Sequence, residues 1–68
     1  MENLRIIKRP AVEAVTGLSR SSIYAKMEDG SFPKSIKLGE RCVGWLEHEV
    51  QAWVENRVSA SRQGGVPL

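Results

Sequence analysis

Thr16-Gly17-Leu18-Ser19-Arg20-Ser21-Ser22-Ile23-Tyr24 reads as the turn and second helix of a helix-turn-helix. Gly17 supplies a tight turn, because a positive φ is cheap only for a residue without Cβ. Leu18 is the apolar plug between two helix axes. Ser19 is a good N-cap, since its hydroxyl can accept from an orphan N–H of the first turn. Ile23 marks the inward face of the helix that follows. Ser21 lies directly opposite it on the helical wheel, and Ser22 and Tyr24 flank Ile23. Arg20, Ser21 and Ser22 are polar and lack any core role. A helix start that presents donors outward is the arrangement that enters a DNA major groove.

The flanks of this stretch supply the rest of a small domain. Upstream, Leu4–Ile7 is short and apolar, a strand or an extended arm. Pro10 is suited to a first helical turn. Ala11–Val15 follows as helix one, with Val12 and Val15 on one face. Helix two runs from about Arg20 to Asp29, with Ile23 and Met27 inward and Gly30 as its stop. Phe32 caps the core. Ile36 and Leu38 alternate with polar residues, as in a half-buried strand. Gly39-Glu40-Arg41 then separates this run from Cys42-Val43-Gly44-Trp45, which predicts a β-hairpin. The hairpin is a wing with Arg41 at its tip and Lys37 on the approach. Leu46, Val50, Trp53, Val54 and Val58 form the apolar stripe of helix three. Glu47 and Glu49 near its start and Arg57 near its end suit the helix dipole. Residues 59–68 are rich in Ser, Gly, Arg and Gln, and are expected to form a flexible tail.

Composition narrows the function classes. Sixty-eight residues make one small domain with a limited core. The single Cys42 excludes an internal disulfide. With the single His48 it also excludes a usual zinc site, which takes about four ligands. No apolar run reaches the roughly 20 residues of a membrane span, and the charged opening residues do not resemble a secretory leader. A cytoplasmic, nucleoid-associated protein is the expectation. Net charge is only +2, but residues 1–41 carry eight Lys/Arg against five acids, and the remainder two against three. The positive charge therefore collects around the helix-turn-helix and wing, where phosphates would lie. No nucleophile–base set or phosphate-cradling glycine loop is present, so neither an enzyme nor a cofactor is expected. Trp45 and Trp53 belong to the core rather than to a stacking platform. Cys42 is expected to be a small buried hydrophobe.

The blocks Thr16–Tyr24, Gly30-x-Phe32-Pro33, Lys37-Leu38-Gly39-x-Arg41, Gly44-Trp45 and Glu49-Val50-x-x-Trp53 together resemble the AlpA family of phage and prophage regulators. They occur in that family's order and cover roughly residues 4–57. Ala25 stands where members often carry a basic residue, with Lys26 next. The resemblance implies a MerR-like winged helix-turn-helix, related to phage excisionases: an α+β, mainly α fold of three helices and a β-hairpin wing over residues 1–58. It also implies sequence-specific binding of double-stranded DNA by a transcriptional regulator of a prophage or mobile element. Arg20, Ser21, Ser22, Tyr24 and Lys26 would contact DNA from the recognition helix, and Lys37 and Arg41 from the wing. Self-association, as a dimer or as adjacent copies, would extend the site. One alternative is an excision factor that bends DNA for an integrase partner. Another is a protein-interaction module that retains only the fold, a reading to which Glu28 on the outward face of helix two lends support.

Overall fold

A computed structural model of the chain describes residues 4–63. The elements run β1 (Ile6–Ile7), α1 (Arg9–Thr16), α2 (Arg20–Glu28), β2 (Ile36–Gly39), β3 (Cys42–Leu46) and α3 (Glu47–Gln63). The strands form one antiparallel sheet in the order β1-β3-β2. This is a small winged helix-turn-helix of three helices and three strands.

Each helix end has a local cause. Pro10 sits in the first turn of α1, where its missing N–H breaks no bond. The Arg9 guanidinium donates to Glu13 one turn on, at 3.0 Å. At the far end Gly17 adopts φ 76°, and its N–H donates to the Glu13 carbonyl at 2.7 Å. The Thr16 hydroxyl donates to Val12 O at 2.8 Å and accepts from Leu18 N at 3.1 Å, so one side chain spans helix and turn. α2 ends in a Schellman motif around Gly30, whose φ is 87°. The Ser31 N–H donates to Lys26 O and the Gly30 N–H to Met27 O, filling carbonyls the helix leaves open.

Val12, Ile23, Trp45 and Val50 are fully buried and Phe32 nearly so; they come from α1, α2, β3, α3 and the loop after α2. Ile7, Leu18, Met27 and Trp53 pack around them. Burial of each large apolar side chain contributes about 1.5–3 kcal/mol, so α2 is seated chiefly by Ile23. Phe32 meets Trp53 edge to face, with ring centroids 5.0 Å apart. The Trp53 indole N–H donates to Ser31 O at 2.6 Å, which fastens α3 to the loop that follows α2.

β3 is the central strand. Ile6 pairs with Leu46 and Ile7 with Trp45 on one side; Ile36 pairs with Gly44 and Lys37 with Val43 on the other. The register slips between Lys37 and Gly39, a bulge next to the wing tip. The Glu47 N–H donates to Arg5 O at 2.7 Å, and the two side chains pair at 3.7 Å. The segment before β1 thereby holds the first residue of α3.

Several expectations are corrected. Leu46 closes β3 instead of opening α3, because it has a cross-strand partner in Ile6. Val15 remains 43% exposed, so of the α1 valine pair only Val12 enters the core. The α3 stripe is buried at Val50, half-buried at Trp53 and Val54, and largely exposed at Val58, since the helix outruns the domain beneath it. α3 continues through Gln63, so residues 59–63 of the expected tail are helical; residues 64–68 lie outside the described residues. Cys42 is half-buried, and the Lys8 ammonium lies 3.3 Å from its sulfur.

Candidate nucleic-acid interface

The leading turn of α2 is built by Ser19. Its Oγ accepts from Ser22 N at 3.2 Å and donates to Ser22 Oγ at 3.1 Å. The cap fixes where the helix begins, and Ile23, fully buried three residues in, fixes which way it faces. Arg20 and Ser21 are exposed in consequence. The turn contains no acidic residue. A helix N-terminus carries partial positive charge from its unpaired N–H groups, so the surface is suited to an anionic partner.

The other candidates on α2 sit differently. Ser22 and Lys26 lie on one flank, half-buried. The Ser22 oxygen already accepts from Ser19, which leaves its own proton as the free donor. The Lys26 carbonyl closes the Schellman motif. Tyr24 lies on the opposite flank, 38% exposed, with its ring edge-on to the Trp45 indole at 6.4 Å between centroids. The ring is thus packed on one edge against Trp45 and open on the other. The Arg20 guanidinium lies 5.8 Å from the Tyr24 ring centroid. This i,i+4 contact was not anticipated from the sequence, although the Arg-x-x-x-Tyr spacing signals it.

On the wing, Arg41 and Lys37 are exposed. Lys37 is paired with Val43, so its side chain shares the sheet face of Trp45, two residues along β3. Trp45 is the residue that meets Tyr24 of α2. Lys37 and the Tyr24 flank of α2 therefore lie on the same face of the sheet. Arg41 occupies the turn between β2 and β3. Among the described residues, the carboxylate pairs are Arg5–Glu47 and Arg9–Glu13; none engages Arg20, Lys26, Lys37 or Arg41. None of these four cations is held in an ion pair among the described residues, although Lys26 lies near enough to Asp29 to help lower its carboxyl pKa. Among the described residues there is also no cluster of three His, Cys, Asp or Glu side chains fit for a metal, and no helix long and apolar enough to cross a membrane.

The sequence pattern of a known family, described as "Prophage CP4-57 regulatory protein (AlpA)", matches residues 5–58. Among individual relatives, an uncharacterized protein of Enterobacteria phage P4, ORF88, is 40% identical over 60 residues, covering 88% of this chain and 68% of the relative. The DNA-binding transcriptional activator AlpA of Escherichia coli (strain K12) is 38% identical over 60 residues, covering 79% of this chain and 86% of the relative.

Proposed function

Since the chain belongs to the AlpA family of prophage regulatory proteins, we propose that it is a sequence-specific double-stranded DNA-binding regulator of transcription from a prophage or related mobile element. The observation that carries this reading is the leading turn of α2: capped by Ser19, seated by Ile23, free of acids, and presenting Arg20 and Ser21 outward. In this reading the turn enters the major groove. Arg20 pairs in two-pronged fashion with a guanine edge. Ser21 reaches the same groove, while Ser22 and Lys26 contact the phosphates along their flank, and the exposed edge of Tyr24 borders the other side. Lys37 and Arg41 place the wing on the adjacent backbone or minor groove. Contacts of the second kind fix position, and contacts of the first kind select sequence.

One helix and one wing span only a few base pairs. Regulatory specificity, typically about a thousand-fold or more over bulk DNA, requires further contacts. Two or more copies on neighbouring half-sites supply them. The test is selection of a preferred duplex from a randomised pool, followed by titration of the Arg20→Ala variant. Loss of about 1–3 kcal/mol of specific binding is expected. An Arg20→Ala chain that keeps full affinity for the selected duplex would remove α2 from the interface.

A further inference from the structure

Arg20 is not an isolated side chain at the head of α2. Its guanidinium lies 5.8 Å from the Tyr24 centroid, one helical turn on. The Tyr24 ring in turn meets Trp45 in a T-shaped contact, at 65° between planes, and Trp45 has no exposed surface. The three side chains form a column from the core to the surface: a buried indole, a phenol ring braced against it, and a cation on the outer ring. No carboxylate competes for the cation among the described residues. Arg41 on the wing turn has no such brace; among the described residues, the guanidinium–ring contacts are Arg20–Tyr24 and Arg57–Trp53.

We propose that Tyr24 is the positioning residue for Arg20, and that it sets discrimination between DNA sequences rather than overall affinity for DNA. The proposal rests on the reading of α2 as the recognition helix. A guanidinium reads a base edge only when its planar fork is aligned with two acceptors. A phosphate accepts a cation over a much wider range of approach. Holding Arg20 against a ring reduces the freedom lost on docking, as pre-organisation does in general. That gain falls on the aligned contact and leaves the phosphate contacts of the wing unchanged. The aromatic face of Tyr24, and not its hydroxyl, performs this role, because the cation is attracted by the ring quadrupole.

The experiment compares Tyr24→Phe and Tyr24→Leu with the parent chain on two probes: the duplex selected by the parent, and a scrambled duplex of the same composition. Tyr24→Leu is expected to lower the specific-to-scrambled ratio by about two- to five-fold, the size of an exposed cation–ring contact. Affinity for the scrambled duplex is expected to fall by less than affinity for the selected duplex, so that the change shows in the ratio. Tyr24→Phe is expected to restore the ratio. In an Arg20→Ala background, Tyr24→Leu is expected to add nothing, since the two substitutions remove one coupled unit. An equal loss with phenylalanine, or an undiminished loss without Arg20, would overturn the proposal. Proton NMR of the DNA-free chain supplies the second measurement. Arg20 side-chain protons should show ring-current shifts in the parent and in Tyr24→Phe, and none in Tyr24→Leu. Absence of these shifts in the parent overturns the positioning role. Their presence in a parent that selects no duplex leaves the column intact and refutes the DNA-binding reading instead.

Discussion

Gly44→Ala adds one methyl group where the sheet has no room for it. Gly44 lies in the central strand with β1 on one side and β2 on the other. A Cβ there would press within van der Waals distance of Ile6 Cγ2, while lying 3.1 Å from the Ile7 carbonyl oxygen and 3.3 Å from Leu38 Cδ1. The Ile7 oxygen cannot retreat without loosening β1, which is paired to β3 at Trp45. Ile6 is β-branched, so it has few rotamers into which to swing. Overpacking of this kind costs about 1–3 kcal/mol. Stiffening of the unfolded chain by alanine returns roughly 0.5 kcal/mol. A net loss of about 1.5 kcal/mol lowers Tm by about 6–12 °C in a domain of this size. Thermal unfolding followed by circular dichroism reads this directly. The companion Ile6→Ala removes Cγ2, so the double variant should lose less than the two single variants combined. An unchanged Tm for Gly44→Ala, or strict additivity with Ile6→Ala, would refute the close approach of β1 to β3.

Ser19→Ala should destabilise the domain by about 1 kcal/mol, the usual worth of an N-cap, and the Ser22 amide should exchange faster with solvent. Trp53→Phe retains an aromatic partner for Phe32 but deletes the indole donor to Ser31 O; chemical denaturation should report a loss of about 1 kcal/mol. Hydrogen bonds from the Ser31 side chain and backbone, with a smaller contribution from Lys26, hold the Asp29 carboxyl below its ordinary value. A depressed carboxyl pKa stabilises the fold above the unfolded value of 3.8 and ceases to do so as pH falls through the folded value. Acid titration of stability should therefore flatten below pH 4 in Asp29→Asn relative to the parent.

The turn at Gly17–Ser19 and the hairpin are legible in the sequence because their signals are local. A glycine with positive φ, a serine cap and alternating apolar residues need no distant partner to be read. Leu46 is not legible in this way: on a wheel it continues the stripe of Val50 and Trp53, and only Ile6, forty residues away, makes it a strand residue. The reach of α3 escapes for another reason. Residues 59–63 carry no apolar rhythm, yet alanine, arginine and glutamine favour helix, and a helix already started needs little further help. Within the candidate interface, the wheel gives the outward direction of Ser21 and the inward direction of Ile23 correctly. It says less about flanks, where Ser22 and Lys26 are half-covered by neighbouring elements. Thr16, quoted in the turn without a role, proves to bridge helix and turn through its hydroxyl. The Arg20–Tyr24 contact follows from helical spacing, but its support by Trp45 depends on a strand twenty-one residues further along the chain.

The bond from the Glu47 amide to the Arg5 carbonyl joins parts of the chain that leave the ribosome far apart in time. While only α1 and α2 have been synthesised, Ile23 and Val12 have neither Trp45 nor Val50 to rest against. Helices of eight and nine residues are marginal without tertiary packing, so at that stage they are not yet held. Structure should therefore arrive all at once, when α3 emerges and the waiting β1 segment clasps its first turn.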